Sequence, residues 1–250
     1  MAILYVASES RELEFFAALL TGLRRLKWPI DYAFEGSWEN RRVMLAANGA
    51  GPKLAAHAVE IAIRAVSMAE LSASRLEAVV STGYCGALDP QLRESQIVVA
   101  TEVLDAKSNE TFACAAAQSE AEFVSGPIVS QDRIAVSAVE KQQLSRRGAI
   151  AVDMESSGIA SRALRAGLPF AAIRAVSDRA DQSFAFDLNR MRTGEGRIAT
   201  AKIINYALVH PRVIPELRRL KRRAEDASRA LGEFLAGSRI CPIPDHPPSA

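Results

Sequence analysis

Histidine and cysteine are scarce in this chain, three of each among 250 residues. His57, His210 and His246 are scattered. That spacing excludes a histidine-built metal cluster and leaves no histidine near a plausible nucleophile loop for Ser-His-Asp chemistry. Cys85, Cys114 and Cys241 are odd in number and show no CxxC spacing, so they read as reduced cytosolic thiols and form neither a disulfide frame nor a zinc site. Long apolar runs are missing too. None approaches the roughly 18 residues of a membrane span. The apolar opening at residues 3–7 is short and soon meets Glu9, Arg11, Glu12 and Glu14, so no signal peptide is expected. A cytoplasmic location is expected. Net charge is only +2, with 31 basic against 29 acidic residues, which argues against a general nucleic-acid binder. No G-x-G-x-x-G or Walker loop is present, so a dinucleotide site is disfavoured.

What remains is an ordinary globular composition, 49% apolar and 24% charged, enough for a large core. Strand-like runs alternate with helix-like ones. A strand is expected at residues 2–7. A helix follows through Leu13, Phe16, Ala17 and Leu20, then an edge strand or turn-rich region between Trp28 and Trp38. A strand at 42–47 closes on Asn48-Gly49-Ala50-Gly51-Pro52, and a helix runs on to about Val66. A short core strand, Ala78-Val79-Val80-Ser81, runs into the turn Thr82-Gly83-Tyr84-Cys85-Gly86. Strands are expected at 97–103 and 128–130, with a surface excursion over 105–122. Residues 150–154 lead into a small-residue helix at 156–166, then a core strand to Asp178. Helices at 195–209 and 213–235 complete the fold. The alternation predicts a single three-layer α/β/α domain with a central mixed sheet over residues 1–236. Residues 237–250, with Pro242, Pro244, Pro247 and Pro248, are expected to be a disordered tail.

The chemistry lies in carboxylates at strand ends. Ala151-Val152-Asp153-Met154-Glu155 and Ile173-Arg174-Ala175-Val176-Ser177-Asp178 carry acids in segments that otherwise read as buried. Burying Asp or Glu is costly unless it is paired or needed. The strand edge is also where open α/β sheets hold ligands. Asp178 alone would pass as a helix cap, and Glu12 alone as a favourable acid at a helix N-terminus. Together, beside the glycine turns at 48–52 and 82–86, they suit acid catalysis on a bond that breaks through a cationic transition state. In glycosidic cleavage one carboxyl protonates the leaving group and another supports positive charge on the sugar.

Four motifs, in order, carry a family resemblance over about residues 2–210. They are Glu12 after the first strand, Ser81-Thr82-Gly83-Tyr84-Cys85-Gly86-Ala87-Leu88 with the strand after it, Ala151 to Glu155, and Ile173 to Asp181. The chain resembles the purine nucleoside phosphorylases and methylthioadenosine/adenosylhomocysteine nucleosidases of the family-1 phosphorylase superfamily. The resemblance implies a nucleoside phosphorylase-like fold, a small-molecule nucleoside substrate, no cofactor beyond inorganic phosphate as a co-substrate, no metal, and a homo-oligomer. It implies that Asp178 protonates purine N7 and Glu155 binds the ribose hydroxyls. Met154 would pack under the sugar, and Glu12 would activate water. Arg174 and Ser177 would support the acid loop. Gly83 and Tyr84 would lie at the sugar, and Ile134 and Ala135 would line the base pocket. Burial is expected to help Asp178 keep its proton near neutral pH.

The phosphorolytic members carry Gly-Asp-Pro-x-Arg after strand one and an Arg before the glycine turn. Here the first segment reads Ala7-Ser8-Glu9-Ser10-Arg11-Glu12, and Ser81 takes the second position. Water is therefore favoured over phosphate, with Arg11 and Lys53 as the residues that could supply a different phosphate site. Gly194-Glu195-Gly196-Arg197, His210-Pro211 and Ile214 to Leu220 are similar to hopanoid-associated phosphorylases, which implies adenosylhopane as substrate. The alternatives are a methylthioadenosine/adenosylhomocysteine nucleosidase and a nucleoside-binding protein without turnover. The 213–235 helix has an apolar stripe and a face rich in arginine. It reads first as a helix packed on the domain with a solvated basic face, and second as a peripheral contact with an anionic membrane.

Overall fold

The computed structural model describes residues 2–68, 75–193, 197 and 199–241. Strand β1 (Ala2–Ala7) shows the period of two that organises the molecule. Leu4 and Val6 face one hydrophobic layer, and Tyr5 and Ala7 the other. A single 3-10 turn, Ser10–Glu12, leads into the short helix α1 (Glu14–Leu19). Then come β2 (Thr21–Arg25), β3 (Tyr32–Trp38) and β4 (Arg41–Ala47). Glu39 and Asn40 join β3 to β4 with φ of 46° and 63°, the left-handed pair that a two-residue hairpin turn demands. Helix α2 (Pro52–Met68) begins on proline, whose missing N–H costs nothing at a first helical position.

The chain continues through β5 (Leu76–Ala87), β6 (Ile97–Asp105), β7 (Thr111–Ala113), β8 (Ala116–Gln118) and β9 (Val124–Ser130). After α3 (Ala138–Ser145) and β10 (Ala151–Asp153), helix α4 (Ser156–Arg165) leads to β11 (Phe170–Asp178). Helices α5 (Thr200–Val209) and α6 (Ile214–Gly237) and strand β12 (Arg239–Cys241) complete the described chain.

The large sheet has ten strands, in the order β10-β9-β6-β11-β5-β1-β4-β3-β2, with β7 on β6. Its pairings are mixed: β1 is parallel to β4 and β5, and β11 is parallel to β5 but antiparallel to β6. The end of β5 also meets β10, through Ala87 to Ala151 and Gly86 to Val152. The strands β5, β11, β6, β9 and β10 therefore close on themselves and draw the C-terminal ends of β5, β10 and β11 together. On one face, α2 and α4 pack through Ala55, Ala58, Val59 and Ile159. On the other, α1 and α6 pack through Phe16, Ala227, Leu231 and Phe234. The mixed-sheet, three-layer expectation holds.

Several local expectations change. The residues read as a turn, 82–86, lie inside β5, because Gly83 at φ 136° bends the strand without breaking its pairing to Arg174 on β11. β2 was not expected: all five of its residues are exposed, so no apolar alternation marks it. Within 105–122 the excursion contains β7 and β8. α3 was not foreseen either, although Ser137 caps it by accepting from Glu140 N at 3.2 Å. The domain runs past residue 236, since α6 ends at Gly237 and β12 pairs with β8. The rest of the expected tail, 242–250, and residues 194–196 and 198 lie outside the described residues.

Small residues let α2 and α4 approach closely. A Cβ on Gly158 would stand 2.1 Å from the Pro52 carbonyl oxygen, so the backbones would have to part. Gly158→Ala is expected to destabilise the protein by about 1–3 kcal/mol. The measurement is urea unfolding, with a lower midpoint and an unchanged slope.

Candidate active site

A cavity of about 800 Å³ opens where β1, β5, β10 and β11 end, a size ordinary for a small-molecule site. Glu12, Tyr84, Met154, Glu155, Ser177, Asp178, Ile134, Ala135 and Arg11 all line it. Arg174, Gly83 and Lys53 do not.

Arg174 lies beneath the floor, fully buried. Its Nη2 makes an ion pair with Asp153 Oδ2 at 2.5 Å and donates to Ser81 Oγ at 2.5 Å and Ser156 Oγ at 2.9 Å. Its Nη1 donates to the Thr82 carbonyl at 2.8 Å and lies 3.8 Å from Glu155 Oε2. The expected role beside the acid loop is therefore corrected. The pairing of β11 with β5 shifts register between Val176 and Asp178, beyond Arg174, and the guanidinium serves Asp153 and Glu155 and makes no bond to Asp178. Gly83 is the gap between Arg174 and Glu12. A Cβ there would lie 2.8 Å from Arg174 Nη1 and 3.0 Å from Glu12 Oε1, and φ is positive.

Glu12 is buried. Its Oε2 accepts from Ser8 N at 2.8 Å, Ser8 Oγ at 2.8 Å and Glu9 N at 3.0 Å. These bonds make it a turn cap as well as a cavity residue. Oε1 has only a longer bond, from Tyr84 N at 3.3 Å, and keeps capacity for a ligand. The Tyr84 hydroxyl is bonded to Ser228 on α6, and burial drives its ionisation well above the usual range.

Glu155 accepts from Gly51 N at 3.0 Å. Burial pushes its carboxyl up to about 8; Arg174 opposes this, while Asp153 and Glu12 add to it. Burial prevails because Arg174 is committed to Asp153 and meets Glu155 only at 3.8 Å.

Asp178 receives the Ser177 hydroxyl, 2.6 Å from Oδ1, and its Oδ2 is bonded to Lys141 Nζ. Lys141, on α3, is a site residue that sequence reasoning missed. The Ser137-x-x-Glu140 cap signature could have revealed the helix, but nothing in the sequence marks a lysine on a polar helix as buried. Asn189 was missed as well. Its side chain accepts from Ile134 N at 2.8 Å and donates to Ile134 O at 3.0 Å. The backbone of Ile134 is thus engaged, although the residue lines the cavity.

The phosphate pair is not brought together. Arg11 lies at the cavity but pairs with Glu9 at 2.8 Å, and its side chain is half exposed. Lys53 faces solvent in the first turn of α2, while Gly49 and Ala50 of the preceding loop face the cavity. Toward α5 and α6 the lining turns mostly apolar, through Leu188, Met191, Ile203, Leu217, Leu220 and Ala224, with Arg197 and Lys221 among them. The outer half of the α6 stripe is therefore cavity wall, its inner half is core, and Arg218, Arg219 and Arg222 are exposed. Among the described residues no cluster of His, Cys, Asp and Glu could hold a metal, and no helix is long and apolar enough to cross a membrane.

The fold is that of an α/β protein with an acid-lined cavity of small-molecule size at the strand ends. Residues 2–208 match the phosphorylase superfamily, and the chain belongs to that superfamily. Solved structures agree on the fold. One is a 5′-methylthioadenosine/S-adenosylhomocysteine nucleosidase from Neisseria meningitidis in complex with methylthio-immucillin-A: TM-score 0.69, 20% identity, 94% of this chain and 97% of that one covered. The enzyme of the same name from Streptococcus pneumoniae, with a transition-state inhibitor, gives TM-score 0.70 and 17% identity over 95% and 97%. A futalosine hydrolase mutant from Helicobacter pylori strain 26695 gives 0.69 and 16% over 95% and 97%.

The raised Glu155 has a consequence for stability. Its ordinary value is 4.5, and in the folded protein it is about 8. Between those values the native state holds a proton that the unfolded chain releases. This contribution is therefore fully present below pH 4.5 and is lost as pH rises through 8. Melting temperatures measured from pH 5 to 8 should fall more steeply in the native protein than in Glu155→Gln. Parallel curves would refute the assignment.

Proposed function

We infer that this protein cleaves the N-glycosidic bond of a purine nucleoside, releasing adenine, with water as nucleophile. The observation that carries the reading is the meeting of four buried carboxyl groups at one cavity, of which Asp153 is bound to Arg174 and Glu12, Glu155 and Asp178 are left for a ligand. Such a set matches a reaction through an oxocarbenium-like transition state. Asp178 protonates N7 of the base. Glu155 receives the ribose hydroxyls and, when ionised, supports the positive sugar. Glu12 Oε1 takes the proton of the attacking water. Met154 lies under the sugar, and the side chains of Ile134 and Ala135 border the base.

Water is preferred to phosphate because Lys53 lies outside the cavity and Arg11 is bound to Glu9. The apolar end of the cavity favours a nucleoside with a large apolar 5′ group, such as adenosylhopane, over one with a small substituent. Exposed Arg218, Arg219 and Arg222 are the part of α6 that an anionic membrane would meet. Exposed Ile204, Leu208 and Val209 on α5 offer apolar surface for a homo-oligomer.

The test is adenine release with and without phosphate, from 5′-methylthioadenosine and from adenosine carrying a long 5′-alkyl chain. Release is expected without phosphate, and more efficiently from the long-chain substrate. Strict dependence on phosphate would overturn the choice of water. Nucleoside binding without release under any condition would leave only a binding protein. Asp178→Asn and Glu12→Gln should each lower kcat by about 10²–10⁴-fold, the usual worth of a positioned acid or base.

A further inference from the structure

Among the described residues Lys141 is the one buried lysine, 1% exposed. A buried ammonium costs several kcal/mol unless its donors are satisfied. Here the protons of Nζ are directed at Asp178 Oδ2, at the Arg179 carbonyl 2.6 Å away and at the face of Phe184, 5.7 Å from its centroid. Phe184 and Asp178 line the cavity; Lys141 stands behind them. The arrangement poses a chemical problem. A carboxylate bonded to an ammonium has no proton of its own to give. The two groups together do have one, either as carboxylate and ammonium or as carboxylic acid and amine, and burial narrows the gap between those forms because it penalises separated charge.

We propose that the proton delivered to the leaving base belongs to the Lys141–Asp178 pair, with Lys141 the positioning residue that holds Asp178 and resupplies it. This rests on Asp178 acting as the acid. The C1′–N9 bond breaks and its electron pair goes to the base. The proton of Lys141 Nζ passes to the Asp178 carboxylate and from there to N7, which leaves Asp178 as carboxylate and Lys141 as neutral amine. The water oxygen bonds to C1′ and its proton goes to Glu12. The neutral amine then takes a proton from solvent as Glu12 returns one, which restores both groups.

The other charges around the pair are committed elsewhere. On α3, Glu140 is bound to Arg133 at 3.1 Å and to Val136 N at 3.0 Å. Arg179 and Asp181, beyond β11, pair with each other at 2.5 Å. Cys85 on β5 is a thiol that burial keeps protonated. Behind it, Arg174 and Asp153 form their own ion pair. Asp178 and Lys141 are thus left to each other.

The experiment measures kcat and KM for adenine release against pH in Lys141→Met, Lys141→Arg and Lys141→Gln, beside Asp178→Asn. At pH 8, Lys141→Met should lose about 10²–10⁴-fold in kcat with KM changed only a few-fold. It should recover as pH falls, when Asp178 draws its proton from solvent. Lys141→Arg keeps the charge, but a guanidinium does not release a proton, so it should be as slow as Lys141→Met at pH 8. Wild-type kcat in Lys141→Arg would overturn the proposal in favour of simple charge support. A loss in Lys141→Met that is equal at every pH would overturn it in favour of a structural role. If Lys141→Met does not fold, as judged by its melting curve, the polar Lys141→Gln is read in its place by the same criteria. Full activity in Asp178→Asn would instead remove the acid assignment on which the proposal rests. An inactive Asp178→Asn beside a wild-type Lys141→Met would remove the proposal alone.

Discussion

The ion pair of Arg174 with Asp153 is the constraint on which the rest of the site depends. A guanidinium with no exposure is tolerable only if nearly every donor is met. Here β5 supplies Ser81 Oγ and the Thr82 carbonyl, β10 supplies Asp153, and α4 supplies Ser156 Oγ. One side chain on β11 therefore sets the spacing of three neighbouring elements. β5 carries Tyr84, Glu155 lies between β10 and α4, and β11 itself ends on Asp178. Gly83 completes the device, because a Cβ there would collide with both Arg174 and Glu12.

The same ion pair separates two carboxyl environments. Asp153 takes the guanidinium, so Glu155 is left buried with one backbone donor and a more distant charge. At the end of β11, Asp178 has a different cation, Lys141 of α3. The apolar residues of α6 that wall the cavity, Leu217, Leu220 and Ala224, add room for a substituent beside the charged Lys221.

Much of the fold was legible because its signals are local. The alternation in β1, the apolar run of β11 and the small-residue faces of α2 and α4 each follow from a period of 2 or 3.6. The strand-end acids were legible as well, since Asp153, Glu155 and Asp178 interrupt buried segments. β2 and α3 were not legible, the first because all its residues are exposed and the second because its sequence is mostly polar. Residues 82–86 were misread as a turn because glycine bends a strand as readily as it ends one.

The sequence by itself determined a layered α/β domain and which carboxyl groups would sit at strand ends, because periodicity and the cost of buried charge are written residue by residue. Tertiary structure alone decided the partner of each group. That Arg174 meets Asp153 and not the Asp178 loop, that Lys53 points away from the cavity, and that Lys141 is buried against Asp178 all follow from how β5, β10 and β11 converge. The physical reason is distance. These partners stand 21, 125 and 37 positions from Asp153, Asp178 and Asp178 in the chain, and only the closing of the strands converts such separations into bonds or keeps them apart.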